Sequence, residues 1–84
     1  MRGFTYVLKS RKDNNLYIGS TTDMNRRIQE HNSGKCRSTK NRRPFQLVYH
    51  ESFDNISQAR EREKLFKKSH SVLYKAAGWQ DKHK

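Results

Sequence analysis

Apolar and β-branched side chains cluster in two short stretches near the start of the chain. Residues 4–10 read Phe-Thr-Tyr-Val-Leu-Lys-Ser, and residues 15–20 read Asn-Leu-Tyr-Ile-Gly-Ser. Both compositions are typical of β-strands. Residues 11–14, Arg-Lys-Asp-Asn, have the polar composition of a turn. Because so short a connection joins neighbouring strands, the pattern predicts an antiparallel hairpin.

A helical period follows the hairpin. Residues 24–33 are preceded by side chains that can cap a helix, Thr21-Thr22-Asp23, and are followed by Gly34, a residue that commonly ends one. At 3.6 residues per turn, one arc of about 100° collects four side chains: Met24, Arg27, Ile28 and His31. The prediction is a helix with two basic side chains, Arg27 and His31, on its apolar face.

The second half of the chain alternates a loop, a strand and helices. Residues 34–44 contain five cations and no acid, which indicates a loop. Residues 45–53 place most of their apolar side chains at odd positions and predict a third strand. A helix is predicted from Ile56 to about Lys68, and one arc of it holds Ile56, Ala59, Glu63, Phe66 and Lys67. Residues 69–71 are expected to interrupt the pattern before a short third helix that stops at Gly78.

The resulting order of elements is ββ-α-β-α-α. It predicts an α+β fold in which helices flank a small three-stranded sheet, either antiparallel or mixed. No repeat or low-complexity tract divides the sequence, so we expect a single domain over residues 1–78. Residues 79–84 are polar apart from Trp79 and are expected to fray as a C-terminal tail.

Composition adds a strong positive charge to this picture. The chain has 84 residues, 31% of them hydrophobic, and carries 19 Lys and Arg against 8 Asp and Glu, a net charge of +11. Such a composition allows a disordered basic tail or a compact domain that binds a polyanion, and the regular patterns favour the domain. No apolar run approaches the roughly 18 residues of a membrane span and no signal peptide is visible, so we expect a cytoplasmic protein without a membrane partner.

Ionic groups on the apolar faces of the two long helices need a physical reason. Arg27 and His31 lie on the first helix and Glu63 on the second, and a buried charge is costly unless it is paired or binds a metal. One explanation is an Arg27–Glu63 salt bridge at the rim of the core. The other is a functional site where the helices meet the sheet. If Leu8 lies opposite Tyr17, then Tyr6 lies diagonally from Tyr17 on the same face and extends such a site. In that site we expect Glu63 to face the two tyrosines and Arg27.

These separated residues resemble the motifs of the GIY-YIG nuclease family. The similarity spans about residues 4–75, and the small single-domain bacterial branch is the most similar. In this chain the first triplet of the motif reads Phe4-Thr5-Tyr6, so that Phe and Thr replace the Gly and Ile of the family name. The other matching motifs are Tyr17-Ile18-Gly19, Asp23-x-x-x-Arg27-x-x-x-His31, Ser38-Thr39-Lys40-x-Arg42-Arg43-Pro44 and Ala59-x-x-x-Glu63-Lys64-x-x-Lys67. Some relatives carry a lysine directly after the second triplet, where this chain has Ser20.

The resemblance implies metal-dependent hydrolysis of a phosphodiester bond. By position, Glu63 resembles the carboxylate that holds one divalent cation, Mg²⁺ with Mn²⁺ as a substitute. Arg27 would stabilise charge on the scissile phosphate, and Tyr17 resembles the proposed general base. Tyr6 and His31 would orient the attacking water and the proton of the base. The implied catalytic set is Tyr6, Tyr17, Arg27, His31 and Glu63.

The acid-free loop is the expected phosphate-binding segment, because lysine and arginine side chains bind the backbone of nucleic acids without reading sequence. The basic residues expected to contact nucleic acid are Lys35, Arg37, Lys40, Arg42, Arg43 and Lys67. We expect the substrate to be structured or single-stranded DNA in preference to RNA. Two alternatives stay open from the sequence. One is a basic nucleic-acid-binding module with vestigial catalysis, and the other is a nuclease that needs a protein partner to deliver its substrate.

Overall fold

A three-stranded antiparallel sheet forms the centre of the computed structural model, which describes residues 2–79. Strand β1 (Gly3–Ser10) lies between β2 (Leu16–Thr21) and β3 (Phe45–Phe53). Val7 and Leu8 point to opposite faces of β1, and both are fully buried. The central strand is therefore covered on both sides. The structure confirms the α+β fold and shows that the sheet is antiparallel throughout.

Three helices cover the two faces of the sheet, and side-chain caps begin each one. Helix α1 (Met24–Ser33) begins after Asp23, α2 (Ile56–Lys68) after Asn55 and α3 (His70–Ala77) after Ser69. Each capping side chain accepts a hydrogen bond from the backbone N–H three residues later, where the first turn has no internal partner. None of the helices described is long and apolar enough to cross a membrane.

Helix α3 begins earlier than the sequence predicts. Residues 69–71 were expected to break the helical pattern, and that expectation is wrong for His70 and Ser71. Ser69 alone makes the break: its N–H donates to the Leu65 carbonyl at the end of α2, and its hydroxyl caps the N–H of Val72. A single residue can thus close one helix and open the next.

The prediction of period-two packing in β3 also requires a correction. Val7 pairs with Tyr49, whereas Leu8 pairs with Leu47, so β3 holds one extra residue at this point. This bulge turns the following side chains to the other face of the sheet. Leu47 consequently packs beside α1 and Tyr49 packs beside α2, although both occupy odd positions.

Two apolar clusters result, one on each face of the sheet. Helices α2 and α3 cover a cluster formed by Val7, Ile18, Phe66 and Leu73. Helix α1 covers a cluster built on Tyr6, Leu8 and Phe45. Trp79 packs at the edge of the first cluster, with ring centroids 6.2 Å from Tyr49 and 5.7 Å from Tyr74. Trp79 therefore does not belong to a frayed tail, and residues 80–84, to which the rest of that prediction applies, lie outside the described residues.

Candidate active site

The hairpin register brings the two tyrosines of the candidate site together. Leu8 lies opposite Tyr17, which is the register considered from the sequence, and Tyr6 lies opposite Gly19. The ring centroids of Tyr6 and Tyr17 are 6.4 Å apart. A Cβ atom on Gly19 would lie 2.5 Å from the hydroxyl oxygen of Tyr6. Glycine is therefore needed at this position because the Tyr6 phenol lies directly against the backbone of β2.

A buried chain of hydrogen bonds runs from Tyr6 through the first helix to the basic loop. The Tyr6 hydroxyl lies 2.9 Å from Nε2 of His31, and Nδ1 of His31 lies 2.9 Å from Oγ1 of Thr39. The Thr39 hydroxyl donates to the carbonyl of Cys36. Thr39 therefore accepts the Nδ1 proton, so Nε2 is the acceptor for the Tyr6 hydroxyl. This chain satisfies every buried polar side chain of the cluster, which lies at the interface of β1, α1 and the loop.

Burial controls the protonation of this hydrogen-bond chain. It lowers the pKa of His31 to about 4, with the positive charge of Arg27 acting in the same direction. Burial raises the pKa of Tyr6 to about 12, although a hydrogen bond from Arg27 opposes the shift. The same contact with Tyr6 is the largest cause of a raised pKa at Arg27. Near pH 7 the cluster therefore contains a neutral imidazole, a neutral phenol and a guanidinium.

Tyr17 occupies the more accessible part of the same cluster. Its ring centroid is 4.9 Å from that of His31 and 6.5 Å from that of Phe45. Tyr6 is only 1% exposed, whereas Tyr17 is half-buried at the edge strand. Of the two phenols, Tyr17 is thus the one that a water molecule can reach.

Arg27 combines contact with the buried chain and access to solvent. Its side chain is 37% exposed, and its guanidinium pairs with the Glu30 carboxylate at 3.1 Å. The Arg27–Glu63 salt bridge considered from the sequence is wrong, because Glu30 is the acidic partner. The exposed donors of the guanidinium remain available to an anion at the β2 edge.

Glu63 lies on the other face of the sheet from the tyrosines. Ser20 donates a hydrogen bond to its Oε1 at 2.6 Å, and the Lys67 ammonium donates to its Oε2 at 2.6 Å. Ser20 follows Gly19 on β2, and consecutive strand residues point to opposite faces. The expectation that Glu63 shares a face with Tyr6 and Arg27 is therefore wrong. The carboxylate and the phenol lie on either side of the edge strand at adjacent residues.

Two contacts hold α2 in the rotation that directs Glu63 to this edge. The buried Thr5 hydroxyl donates to the Ala59 carbonyl at 2.7 Å, one turn before Glu63. The Arg62 guanidinium pairs with Glu51 of β3 at 2.8 Å and lies 4.6 Å from the centroid of the Phe66 ring. Because these contacts tie α2 to both β1 and β3, the helix cannot easily turn its carboxylate away from β2.

The oxygen atoms around Glu63 suit a divalent cation that takes most of its ligands from water and phosphate. Within residues 2–79, no three His, Cys, Asp or Glu side chains lie close enough together to hold a metal ion. Mg²⁺ keeps several waters and is commonly held by one or two carboxylates together with phosphate oxygens. A single carboxylate beside the Ser20 hydroxyl therefore fits Mg²⁺ bound with a phosphate, and it does not fit a metal held by protein ligands alone.

The basic loop is partly structural. Arg42 lies in a short 3₁₀ helix (Lys40–Arg42), pairs with Asp13 at 2.9 Å and lies 5.5 Å from the centroid of the Phe45 ring. Its guanidinium therefore ties the loop to the hairpin turn. The Arg43 guanidinium lies against Gly34 and donates to the carbonyl of Lys40 at 2.8 Å. The remaining loop cations, Lys35, Arg37 and Lys40, are exposed.

Sequence reasoning missed three residues that hold the site together. Ser20 binds Glu63, Thr39 orients His31, and Glu30 pairs with Arg27. Glu30 lies outside the predicted apolar arc of α1, but its place three residues after Arg27 is a spacing that permits an ion pair. No local signal distinguishes Thr39 from the other polar residues of the loop, because its partner is eight residues away and lies in a helix.

The protonation of His31 predicts a specific loss of stability in acid. Its pKa in the folded protein, about 4, is below the ordinary 6.5, so its contribution to stability is complete above pH 6.5 and is lost as the pH falls through about 4. His31→Gln keeps a donor and an acceptor but does not titrate. Between pH 7 and pH 4, the unfolding free energy of the wild type should fall by roughly 2–3 kcal/mol more than that of the variant. Urea denaturation at both pH values measures the difference, and equal losses would contradict the prediction.

Comparison with known proteins agrees with this arrangement. A family model described as the GIY-YIG catalytic domain matches residues 2–75. The UPF0213 protein lwe0147 of Listeria welshimeri is 48% identical over 66 residues, 77% of this chain and 72% of that protein. The UPF0213 protein SH2523 of Staphylococcus haemolyticus is 49% identical over 61 residues, 71% of this chain and 73% of that protein.

A solved structure shows the same likeness in three dimensions. The solution NMR structure of the UPF0213 protein BH0048 from Bacillus halodurans matches with a TM-score of 0.57 at 34% sequence identity. The match covers 93% of this chain and 84% of that one. The family resemblance found in the sequence is thus confirmed: the chain belongs to the GIY-YIG catalytic-domain family, a nuclease superfamily, and is similar to its small bacterial UPF0213 members.

Proposed function

We propose that the protein is a Mg²⁺-dependent nuclease that hydrolyses phosphodiester bonds in structured or single-stranded DNA. The observation that carries the proposal is the arrangement at the β2 edge. There the Tyr6 phenol lies against Gly19 on one face, and Glu63 is hydrogen-bonded to Ser20 on the other. A phosphate placed at this edge can meet groups from both faces of the sheet.

Different residues of the chain can stabilise the phosphate charge, accept the proton of the attacking water and hold the cluster in position. The exposed guanidinium of Arg27 matches the geometry of phosphate oxygens and would stabilise the negative charge that develops on them. Tyr17 would act as the general base in its phenolate form and become a neutral phenol when it takes the proton of the attacking water, because it is the accessible one of the two tyrosines. Tyr6 stays protonated and, held by His31, fixes the position of the cluster. We assign Tyr6 and His31 an orienting role for these reasons.

Glu63 is the proposed Mg²⁺ ligand, with the Ser20 hydroxyl supporting its Oε1 atom. A cation bound there would supply Lewis-acid polarisation of the phosphate and charge stabilisation of the leaving oxygen. Mn²⁺ would bind the same oxygen donors. The exposed cations of the loop, Lys35, Arg37 and Lys40, would hold the nucleic-acid backbone on the α1 side of this edge.

One observation favours a second candidate function, a nucleic-acid-binding module without catalysis. The Lys67 ammonium already neutralises the Glu63 carboxylate at 2.6 Å. A carboxylate that serves only as the partner of Lys67 would stabilise α2 and would not need a metal. The two candidates differ in what the loss of Glu63 does to cleavage.

Glu63→Gln separates these candidates. If Glu63 holds Mg²⁺, the variant should lose Mg²⁺-dependent cleavage, because a neutral amide is a far weaker ligand for a hard cation. Binding of nucleic acid without metal should be retained or tightened, since a negative charge is removed.

Glu61→Gln is the matched control, because Glu61 is exposed two residues away on the same helix. Cleavage is measured on branched, flapped, single-stranded and duplex DNA, with and without Mg²⁺. Equal cleavage by the wild type and Glu63→Gln would refute the assignment.

Tyr17→Phe tests the proton acceptor. The variant keeps the ring that packs on His31 and removes only the hydroxyl. Cleavage should fall by roughly 10²–10⁴-fold with little change in DNA affinity or melting temperature. Tyr74→Phe makes the same chemical change on α3, outside the α1-side cluster, and should cleave normally. If Tyr17→Phe cuts at the wild-type rate, Tyr17 is not the base and the base must lie outside the tyrosine pair, because Tyr6 is buried and its pKa is raised to about 12.

Replacing Lys35 and Arg37 together by Ala tests the loop. Each lost phosphate contact lowers the slope of log affinity against log salt by about 0.7–0.9, so the double variant should show a slope smaller by roughly 1.4–1.8. Lys12→Ala with Lys75→Ala removes the same charge from the hairpin turn and from α3. Fluorescence anisotropy at several salt concentrations gives both slopes. Equal slopes for the two double variants would place the binding surface elsewhere.

A further inference from the structure

The Glu63 carboxylate is shared between two donors that differ in mobility. Ser20 is anchored in β2 and donates to Oε1, whereas Lys67 donates to Oε2 from a flexible side chain that is 54% exposed. The Glu63 side chain itself is only 20% exposed. One oxygen of a largely buried carboxylate is thus bonded to the sheet, and the other is bonded to the ammonium of an exposed lysine side chain.

A divalent cation and the Lys67 ammonium cannot share this oxygen without cost. Both carry positive charge and would lie within a few ångströms of one another, in a partly buried place where solvent screens them weakly. Mg²⁺ also keeps several waters in near-octahedral geometry, and these need the space that the ammonium fills. Binding of the metal at Oε2 thus requires Lys67 to move.

Lys67 is well suited to moving. A glutamate–lysine pair four residues apart in a helix contributes only a few tenths of a kcal/mol, and the Lys67 side chain is exposed, so a competing anion can draw the ammonium away from Glu63. The lysine ammonium is a compact charge on a four-carbon stem, and phosphate oxygens are suitable acceptors for it. A nucleic-acid phosphate at the β2 edge would offer Lys67 that alternative partner and leave Oε2 free.

From these contacts we propose that Lys67 is a displaceable counter-ion of Glu63 that couples metal binding to nucleic-acid binding. This inference rests on the proposed function, because it takes Glu63 as the Mg²⁺ ligand. Without nucleic acid, Lys67 stays on Glu63 and opposes the metal. With nucleic acid, Lys67 transfers to a phosphate and the carboxylate accepts the metal. Since coupling between two binding sites is reciprocal, Mg²⁺ must in turn tighten nucleic-acid binding.

Lys67→Met tests the coupling, because methionine keeps an unbranched stem of similar length and loses the charge. The matched control is Lys64→Met, which removes the same charge from an exposed position of α2 that forms no ion pair with residues 2–79. Isothermal titration calorimetry measures the affinity for Mg²⁺ alone. The same titration is repeated with a phosphorothioate oligonucleotide, which resists cleavage.

We expect the oligonucleotide to raise the Mg²⁺ affinity of the wild type and of Lys64→Met by at least about fivefold. Lys67→Met should bind Mg²⁺ alone at least about fivefold more tightly than the wild type, and the further gain from the oligonucleotide should shrink towards none. Glu63→Gln should bind no Mg²⁺ at this site under either condition.

Different failures have different meanings. If Mg²⁺ binding depends on Glu63 but Lys67→Met and Lys64→Met behave alike, Lys67 acts only through general charge, and the coupling is refuted while the proposed function stands. If Glu63→Gln binds Mg²⁺ as well as the wild type does, Glu63 is not the ligand, and the inference and the metal assignment fail together.

Discussion

Coverage of β1 on both faces is the constraint on which the rest of the structure depends. In a chain with only 31% hydrophobic residues, the central strand must serve two clusters at once, so its successive side chains enter opposite cores. Tyr6 faces the α1 side as a consequence and takes its hydroxyl into the interior. A buried hydroxyl needs a partner, and His31 supplies it at 2.9 Å. The hydrogen-bond chain of the candidate site is thus also a requirement of the fold.

The few acidic residues of this basic chain are used mainly to organise it. Asp13 pairs with Arg42, Glu30 with Arg26 and Arg27, Glu51 with Arg62, and Glu63 with Lys67. Exposed pairs of this kind contribute roughly 0–1 kcal/mol each, so their value lies in placing side chains more than in stability. Through these pairs, Arg42 ties the basic loop to the hairpin turn and Arg62 ties α2 to β3. Within residues 2–79, Lys35 and Arg37 have no acidic partner, and in the proposed function they are the cations that would contact the nucleic-acid backbone.

The local pattern of apolar and capping residues predicted the helices and strands well. Helix α1 was predicted over residues 24–33 and β3 over residues 45–53, and both occur with those bounds, because the capping residues and the period of apolar side chains are local properties. The antiparallel hairpin also followed from its short turn, whereas its register was only one possibility until the structure showed Leu8 opposite Tyr17. The start of α3 and the bulge in β3 did not follow. The start of α3 depends on which of the serines at 69 and 71 forms the cap, and the structure assigns it to Ser69. The bulge depends on how β3 pairs with β1, which is a contact between strands far apart in the sequence.

For the candidate site, the sequence by itself determined which side chains share the apolar face of each helix and that Tyr6 and Tyr17 belong to one hairpin. Helical phase placed Arg27 and His31 on the inner side of α1 and Glu63 on the inner side of α2. Only the tertiary structure decided that these two helices cover opposite faces of the sheet, so that Glu63 meets Ser20 while Arg27 meets Tyr6. The physical reason is that the spacing of apolar residues along a helix shows only which side of the helix is apolar. When both faces of the central strand are apolar, that spacing does not show which face of the sheet the helix will cover.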